Sequence, residues 1–266
     1  YLEVQFVSAG QIYDEKVASA FGIHDKDQIC IMLHCGSRGF GHQIATDYLK
    51  LFDSAMRKYN IKILDRELSC APYQSEEGQD YYKAMIGAAN FAFANRQLIT
   101  YNMREAFKRV FHKSPEEMEM HIVYDVSHNI AKVEKHTIDG KQKSVVVHRK
   151  GATRAFPANK EEVPKKYRDL GQPVFIPGSM GTGSWILLGQ PNSMNLTFGS
   201  TAHGAGRTMS RTKARQNYTE SQVKKFLSDK GIEVKALTRD GIVEETPQAY
   251  KDVDLIVKVS HELGIA

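Results

Sequence analysis

The strongest constraint on how this chain can fold is a helical pattern over residues 78–111. It carries Ala84, Gly87, Ala88 and Ala92, small residues that let a second element approach closely. A second helical run over residues 41–59 places Ile44, Tyr48, Leu51, Phe52, Ala55 and Met56 at helix spacing. Residues 1–7 alternate as a strand does. Residues 27–33 form a short Ile-rich run that reads as a buried strand ending at His34. Residues 119–124 and 144–147 read as strands flanking a turn at Asp139-Gly140. Residues 174–177 and 185–188 read as strands around a Gly-rich turn at 178–183. Pro157, Pro164 and Pro173 mark a long surface connection, and helices are expected over 220–230 and 247–263. Strands and helices intersperse without a regular β-α-β period, so the expected class is α+β, with mixed sheets and packed helices.

The 266 residues allow one large domain or two small ones. With 41% hydrophobic and 25% charged residues the chain reads as an ordinary globular protein. A formal net charge of +5 makes it mildly basic, compatible with a nucleic-acid partner without identifying one. No run approaches the length of a membrane span, and residues 1–5 do not read as a signal peptide. Cys30, Cys35 and Cys70 cannot all pair within the chain and none stands in Cys-x-x-Cys spacing. A reducing compartment, cytoplasm or nucleus, is therefore expected.

Three histidines stand in unusual settings. His203 lies in Ser200-Thr201-Ala202-His203-Gly204-Ala205-Gly206-Arg207, where glycines let backbone approach a phosphate and the imidazole offers a nucleophile or a metal ligand. His34 opens His34-Cys35-Gly36-Ser37-Arg38-Gly39-Phe40-Gly41-His42-Gln43, and His128 lies in Tyr124-Asp125-Val126-Ser127-His128-Asn129-Ile130-Ala131-Lys132. Each of these two ends an apolar run and enters a polar turn, a place suited to a metal ligand or to a histidine bonded to backbone. The turn Pro177-Gly178-Ser179-Met180-Gly181-Thr182-Gly183-Ser184 can present N–H groups to phosphate or a purine edge, yet it matches no P-loop and could equally be a hairpin turn. Arg38, Arg149, Lys150, Arg154 and Arg207 lie in or beside these motifs. They read as RNA phosphate contacts or as a solvated basic face.

These motifs, together with Tyr1-Leu2-Glu3-Val4-Gln5 and His148-Arg149-Lys150-Gly151-Ala152-Thr153-Arg154-Ala155-Phe156-Pro157, occur in the order found in the RtcB family of RNA ligases. The chain resembles that family from Tyr1 to Ala266, with wording similar to eukaryotic members. The resemblance implies an RtcB-like catalytic domain over residues 1–266, incomplete at both ends. In the family a Gly-Asn-His triplet precedes Tyr1, metal-binding Asp and Cys stand farther upstream, and a terminal lysine that contacts guanine follows Ala266.

By that resemblance His34 and His128 share one Mn²⁺ and His203 is the nucleophile that takes GMP from GTP. Pro177, Gly178, Ser179, Met180 and Ser184 line the guanine and ribose site. Glu3, Asn129, His203, Gly204, Ala205, Gly206 and Tyr250 complete it. The implied reaction joins an RNA 2′,3′-cyclic phosphate or 3′-phosphate end to a 5′-hydroxyl end through a histidine-GMP, in tRNA splicing and RNA repair. The implied partners are tRNA halves, an archease-type activator and other subunits of a tRNA ligase complex, with no membrane. Two alternatives stand beside it: an RNA-binding module without ligase activity, and a metal-dependent phosphoesterase built on the same histidines.

Overall fold

In the computed structural model, which describes residues 1–8 and 10–266, the chain divides into two units, Tyr1–Asp125 and Val126–Ala266. In the first unit, strand β1 (Leu2–Phe6) pairs antiparallel with β2 (Ile29–Leu33), Leu2 opposite Leu33 and Phe6 opposite Ile29. Helix α1 (Glu15–Ala20) lies between them in sequence and is capped by the Asp14 carboxylate, which accepts from Val17 N–H. Two long helices follow, α2 (Arg38–Lys58) and α3 (Glu76–Phe111). The Ser75 hydroxyl accepts from Gly78 N–H at the start of α3. Glu76 and Glu77 fill its first turn, and Lys108 and Arg109 its last, the order of charge that suits the helix dipole.

Phe52 meets Tyr81 edge to face at 5.2 Å, and Ala55 on α2 and Ala88 on α3 are buried. The small residues of α3 contribute unequally: Ala84 and Ala92 are half-buried, and Gly87 faces open space. Residues 119–124, expected as a strand, form none. Backbone there is answered by the helix instead: Arg104 donates to the Met120 carbonyl at 2.5 Å. Nearby, Arg96 joins Asp125 at 2.7 Å and the Cys35 carbonyl at 3.1 Å.

In the second unit, β3 (Asn129–Ile138) and β4 (Lys141–Lys150) make a hairpin with Asn129 opposite Lys150. The expected turn at Asp139-Gly140 is present, with φ of 53° and 72° at its two residues. Left-handed backbone at both central residues matches the twist of the flanking strands, and Asp-Gly tolerates it well. The strands it joins are β3 and β4, not residues 119–124. Strand β5 (Ala152–Arg154) then pairs with β8 (Ser200–Ala202), and β6 (Pro173–Ile176) with β7 (Trp185–Leu188).

Helices α4 (Pro191–Leu196), α5 (Arg211–Asn217), α6 (Glu220–Ser228) and α7 (Arg239–Glu244) follow. The run expected over 247–263 divides into a single turn at Pro247–Ala249 and helix α8 (Val253–Glu262). The core gathers Ala155, Val174, Ile176, Ala205, Val253 and Val257. The stretch expected as a surface connection is not one. Phe156, Val163, Tyr167, Gln172 and Pro173 are buried, and Pro173 opens β6. Helices mixed with small antiparallel sheets agree with the expected α+β class.

Below β3 and β4 lies a buried ionic group. The Arg149 guanidinium donates to both Glu134 carboxylate oxygens, at 2.7 and 2.9 Å, and His136 Nε2 meets the same carboxylate at 3.1 Å. Burial opposes the charged carboxylate. The fork of Arg149 and the His136 contact outweigh it and hold Glu134 below the ordinary value of 4.5. Removing one partner strands the other charge, so Glu134→Ala should lower the unfolding free energy by about 3–5 kcal/mol in denaturant titration. The sign with pH follows from the depressed value. The unfolded chain takes up the proton first, so this contribution is present above the ordinary carboxylate value and is lost as pH falls through the folded one. The Glu134→Ala variant should lack that part of the acid dependence; an unchanged acid limb would contradict it.

Candidate functional site

Strand β4 ends at Lys150, and Gly151 follows with φ of 66°, a left-handed turn that directs the chain into β5. Gly151 N–H donates to the His128 carbonyl at 3.0 Å and the Asn129 Oδ1 at 3.2 Å. The pairing of Ala152 with Ala202 sets the end of β8 beside this turn, so the next residue, His203, meets it. His203 Nδ1 lies 2.7 Å from the Gly151 carbonyl. A carbonyl only accepts, so Nδ1 carries a proton, and in the neutral ring the lone pair is then on Nε2. A side chain at 151 would stand 3.4 Å from the His203 ring, in contact with the atoms that must stay aligned.

His128 stacks on His203, ring centroids 4.6 Å apart and planes inclined by 30°. Burial, and then the neighbouring His203, push the His128 imidazole below its ordinary value and favour its neutral, ligating form. The Gly-rich turn is tied to the same place: Ala205 N–H donates to the Pro177 carbonyl at 3.0 Å, and a Cβ on Gly204 would come 3.3 Å from that oxygen. Within the turn, Ser179 N–H is held by Thr182 Oγ1 at 2.8 Å and Gly178 N–H by Ser184 Oγ at 3.4 Å. Met180 packs against the Val223, Leu227 and Ile242 core. Ala205 is itself buried, its N–H already used.

Gly206 and Tyr250 close the arrangement. Lys251 N–H donates to the Gly206 carbonyl at 2.9 Å, and Arg207 forms a bridge with Tyr250. The Tyr250 ring lies under the Arg207 guanidinium, 4.9 Å from the ring centre, and its hydroxyl donates to Glu245. Burial, followed by Glu245, pushes the phenol up to about 12.

The second unit therefore brings together His128, Asn129, the 177–184 turn, His203, Gly204, Ala205, Gly206 and Tyr250. Glu3, His34 and Arg38 belong to the first unit. His34 ends β2, its Nδ1 2.9 Å from the Tyr1 hydroxyl. The Glu3 carboxyl is raised by burial, which outweighs the Gln5 hydrogen bond. Arg38 is exposed at the start of α2. The Cys35 thiol accepts from Asn95 Nδ2 at 3.3 Å. Among the described residues no three His, Cys, Asp or Glu side chains gather as a metal-holding group.

The basic residues divide. Arg149 was expected at RNA phosphate, but only 3% of its surface is exposed and its guanidinium is committed to Glu134, Ser200 and two carbonyls. The reason is strand alternation: neighbours on β4 point to opposite faces, so Arg149 goes inward while His148 and Lys150 stay exposed. Arg207 is also turned inward, onto the Met209 and Glu244 carbonyls and the Tyr250 hydroxyl. Arg154 is held by Gln172 and the Glu162 carbonyl, over the Phe156 ring. Sequence reasoning missed Gly151 as the partner of His203. Its signal was a glycine ending a strand, where positive φ is needed.

Gly151→Ala should therefore cost about 1–2 kcal/mol of left-handed strain in denaturant titration. The low-field proton resonance of His203 Nδ1–H should disappear. If that resonance persisted unshifted, the left-handed turn at 151 would not be what places the carbonyl against the ring.

The family model described as tRNA-splicing ligase RtcB matches residues 1–266. The chain is 55% identical over 266 residues to tRNA-splicing ligase RtcB of Nanoarchaeum equitans, covering all of this chain and 55% of that protein. It is 54% identical to the protein of the same name from Thermococcus kodakarensis, again over the whole chain and 55% of the relative. The Aeropyrum pernix protein is 52% identical over 265 residues, with 54% of its length covered. The chain thus spans about half the length of these relatives. With the family model matching its whole length and these relatives 52–55% identical over it, the chain belongs to the RtcB family.

Proposed function

We propose that this chain carries the nucleotidyl-transfer centre of a GTP-dependent RNA ligase that joins RNA 2′,3′-cyclic phosphate or 3′-phosphate ends to 5′-hydroxyl ends in tRNA splicing and RNA repair. The observation that supports it best is the His203 ring, which donates from Nδ1 to the Gly151 carbonyl and keeps the Nε2 lone pair. A neutral, oriented imidazole is the nucleophile that phosphoryl chemistry needs. GTP is a substrate here. His203 Nε2 forms a bond to its α-phosphorus as the bond to pyrophosphate breaks. A 2′,3′-cyclic phosphate end is first opened by water to a 3′-phosphate and a free 2′-hydroxyl; the GMP then passes from His203 to the 3′-phosphate, and the 5′-hydroxyl of the second RNA attacks that phosphate and releases GMP.

The chain's residues have distinct proposed tasks. The 177–184 turn and the 203–206 turn hold the nucleotide, with Asn129 and Glu3 as further contacts and Tyr250 at the base. His34 and His128 are the residues that would hold Mn²⁺. Their fit rests on chemistry: His128 is kept neutral by burial and His34 is oriented by the Tyr1 hydroxyl. A divalent ion supplies positive charge against phosphate oxygens when bound. Lys150, Arg154 and Arg38 face RNA phosphate, and Arg207 steadies Tyr250.

Both units are proposed to serve one catalytic domain spanning residues 1–266. tRNA halves are the proposed substrates, with an archease-type activator and further ligase subunits as partners. The cysteines Cys30, Cys35 and Cys70 are free thiols. We assign the protein to the reducing cytoplasm or nucleus on that basis. Among the described residues, no helix is long and apolar enough to cross a membrane.

In the full-length protein with Mn²⁺ and α-phosphate-labelled GTP, His203→Ala should abolish both protein labelling and sealing of a cyclic-phosphate RNA, with melting unchanged. Persistent labelling in that variant would remove His203 from the centre. Lys150→Ala should leave labelling intact, weaken RNA binding across sequences and reduce the salt slope by about 1. Lost labelling with unaltered RNA affinity would instead place Lys150 at the nucleotide.

A further inference from the structure

We infer that Arg149 is a positioning residue for His203, holding the strained turn that launches the β8 strand while Glu134 fixes its guanidinium from behind; this rests on the reading of His203 as nucleophile. The turn immediately before β8 is unusual. Phe198 and Gly199 are both left-handed, with φ of 51° and 62°. For a bulky phenylalanine that conformation is strained and persists only where its surroundings enforce it. Arg149 Nη2 donates to the carbonyls of both residues, at 3.0 and 3.3 Å, and its Nε donates to the Ser200 hydroxyl at 2.9 Å. One side chain thus grips three successive residues, the last of them three positions before His203.

The same arginine stands two residues before Gly151 on β4, whose carbonyl sets the His203 tautomer. It therefore links both limbs that meet at the imidazole: the strand that ends at the acceptor and the strand that ends at the donor. Neighbouring contacts enforce the arrangement. Ala155 N–H donates to the Gly199 carbonyl at 2.7 Å, and Thr197 Oγ1 donates to the Ser200 carbonyl at 2.6 Å. A Cβ on Gly199 would lie 2.4 Å from the Phe156 ring, so the turn has no room to relax on that side. Glu134 is needed because a guanidinium this deeply buried requires a countercharge, and the bidentate pairing fixes the plane in which Nε and Nη2 point at the turn. Lysine cannot substitute: its single ammonium cannot span a carboxylate, a hydroxyl and two carbonyls at the spacing of the fork.

The test uses the full-length protein, Mn²⁺ and labelled GTP, with ¹⁵N-histidine spectra beside the kinetics. Arg149→Lys should slow label transfer to His203 by about 100-fold, the scale expected for a misplaced nucleophile. The half-saturating GTP concentration should stay within about twofold, since uniform binding is untouched. The Nδ1–H signature of His203 should be lost. A second variant, Arg149→Met with Glu134→Gln, removes both charges while leaving His136 an acceptor. It should melt close to the unsubstituted protein yet keep the rate loss. Recovery of both melting and rate in that double variant would show the pair to be merely structural and overturn the inference. So would a raised GTP requirement at unchanged maximal rate, or an intact Nδ1–H signature in Arg149→Lys. If the unsubstituted protein itself took no label, the ligase reading would fail. The ring signature would then decide alone: its loss in Arg149→Lys upholds the positioning role, and its retention overturns it.

Discussion

An arginine with 3% of its surface exposed must have its guanidinium answered inside the protein, and Arg149 is answered from several directions at once. Glu134 on β3 takes the two ends of the fork, Ser200 takes Nε, and the carbonyls of Phe198 and Gly199 take what remains. The β3–β4 hairpin and the β5–β8 pair are each only two strands wide, and a lone two-stranded ribbon is marginal in water. The buried ionic group ties these two ribbons together where no shared backbone ladder does. His203 stands at the end of β8 and Gly151 just beyond β4, so the alignment of donor and acceptor inherits that tie.

The parts of this fold that follow hydrophobic period were legible beforehand. Helices α2 and α3 lie within a few residues of where apolar spacing puts them, and β7 coincides with residues 185–188. The Asp139-Gly140 turn was legible because few residue pairs accept left-handed backbone twice in succession. Strand β3 was not. Its buried positions include Glu134 and His136, which a reading based on apolar alternation assigns to the surface. Residues 119–124 mislead in the opposite sense: they look apolar enough for a strand, but no partner strand lies beside them and α3 side chains take their place. Arg149 beside Lys150 reads as one basic cluster until the strand is known to alternate.

The candidate site was legible as a set of turns more than as a set of contacts. His128, His203 and the 177–184 turn do meet in the second unit, and backbone bonds such as Ala205 N–H to the Pro177 carbonyl explain why. Which ring nitrogen is free could not be read from residue types, because it depends on a carbonyl fifty-two residues away in sequence. Glu3, His34 and Arg38 stand in the first unit, and the tasks proposed for them rest on the resemblance to the RtcB family rather than on shared geometry. The stacked, partly buried histidine pair with one ring committed to a backbone carbonyl favours a nucleophilic centre over a passive RNA-binding surface, which would have no need of a fixed tautomer.

The central claim is that His203 reacts through Nε2 because Gly151 occupies Nδ1. The most direct measurement is the site of nucleotide attachment. The full-length protein is incubated with GTP and Mn²⁺, trapped under alkaline conditions, and examined by peptide mapping and ³¹P–¹⁵N correlation on ¹⁵N-histidine protein. The account predicts one phosphoramidate, on His203, with phosphorus coupled to Nε2 and a proton retained at Nδ1. Attachment at Nδ1, or on any residue other than His203, would contradict it.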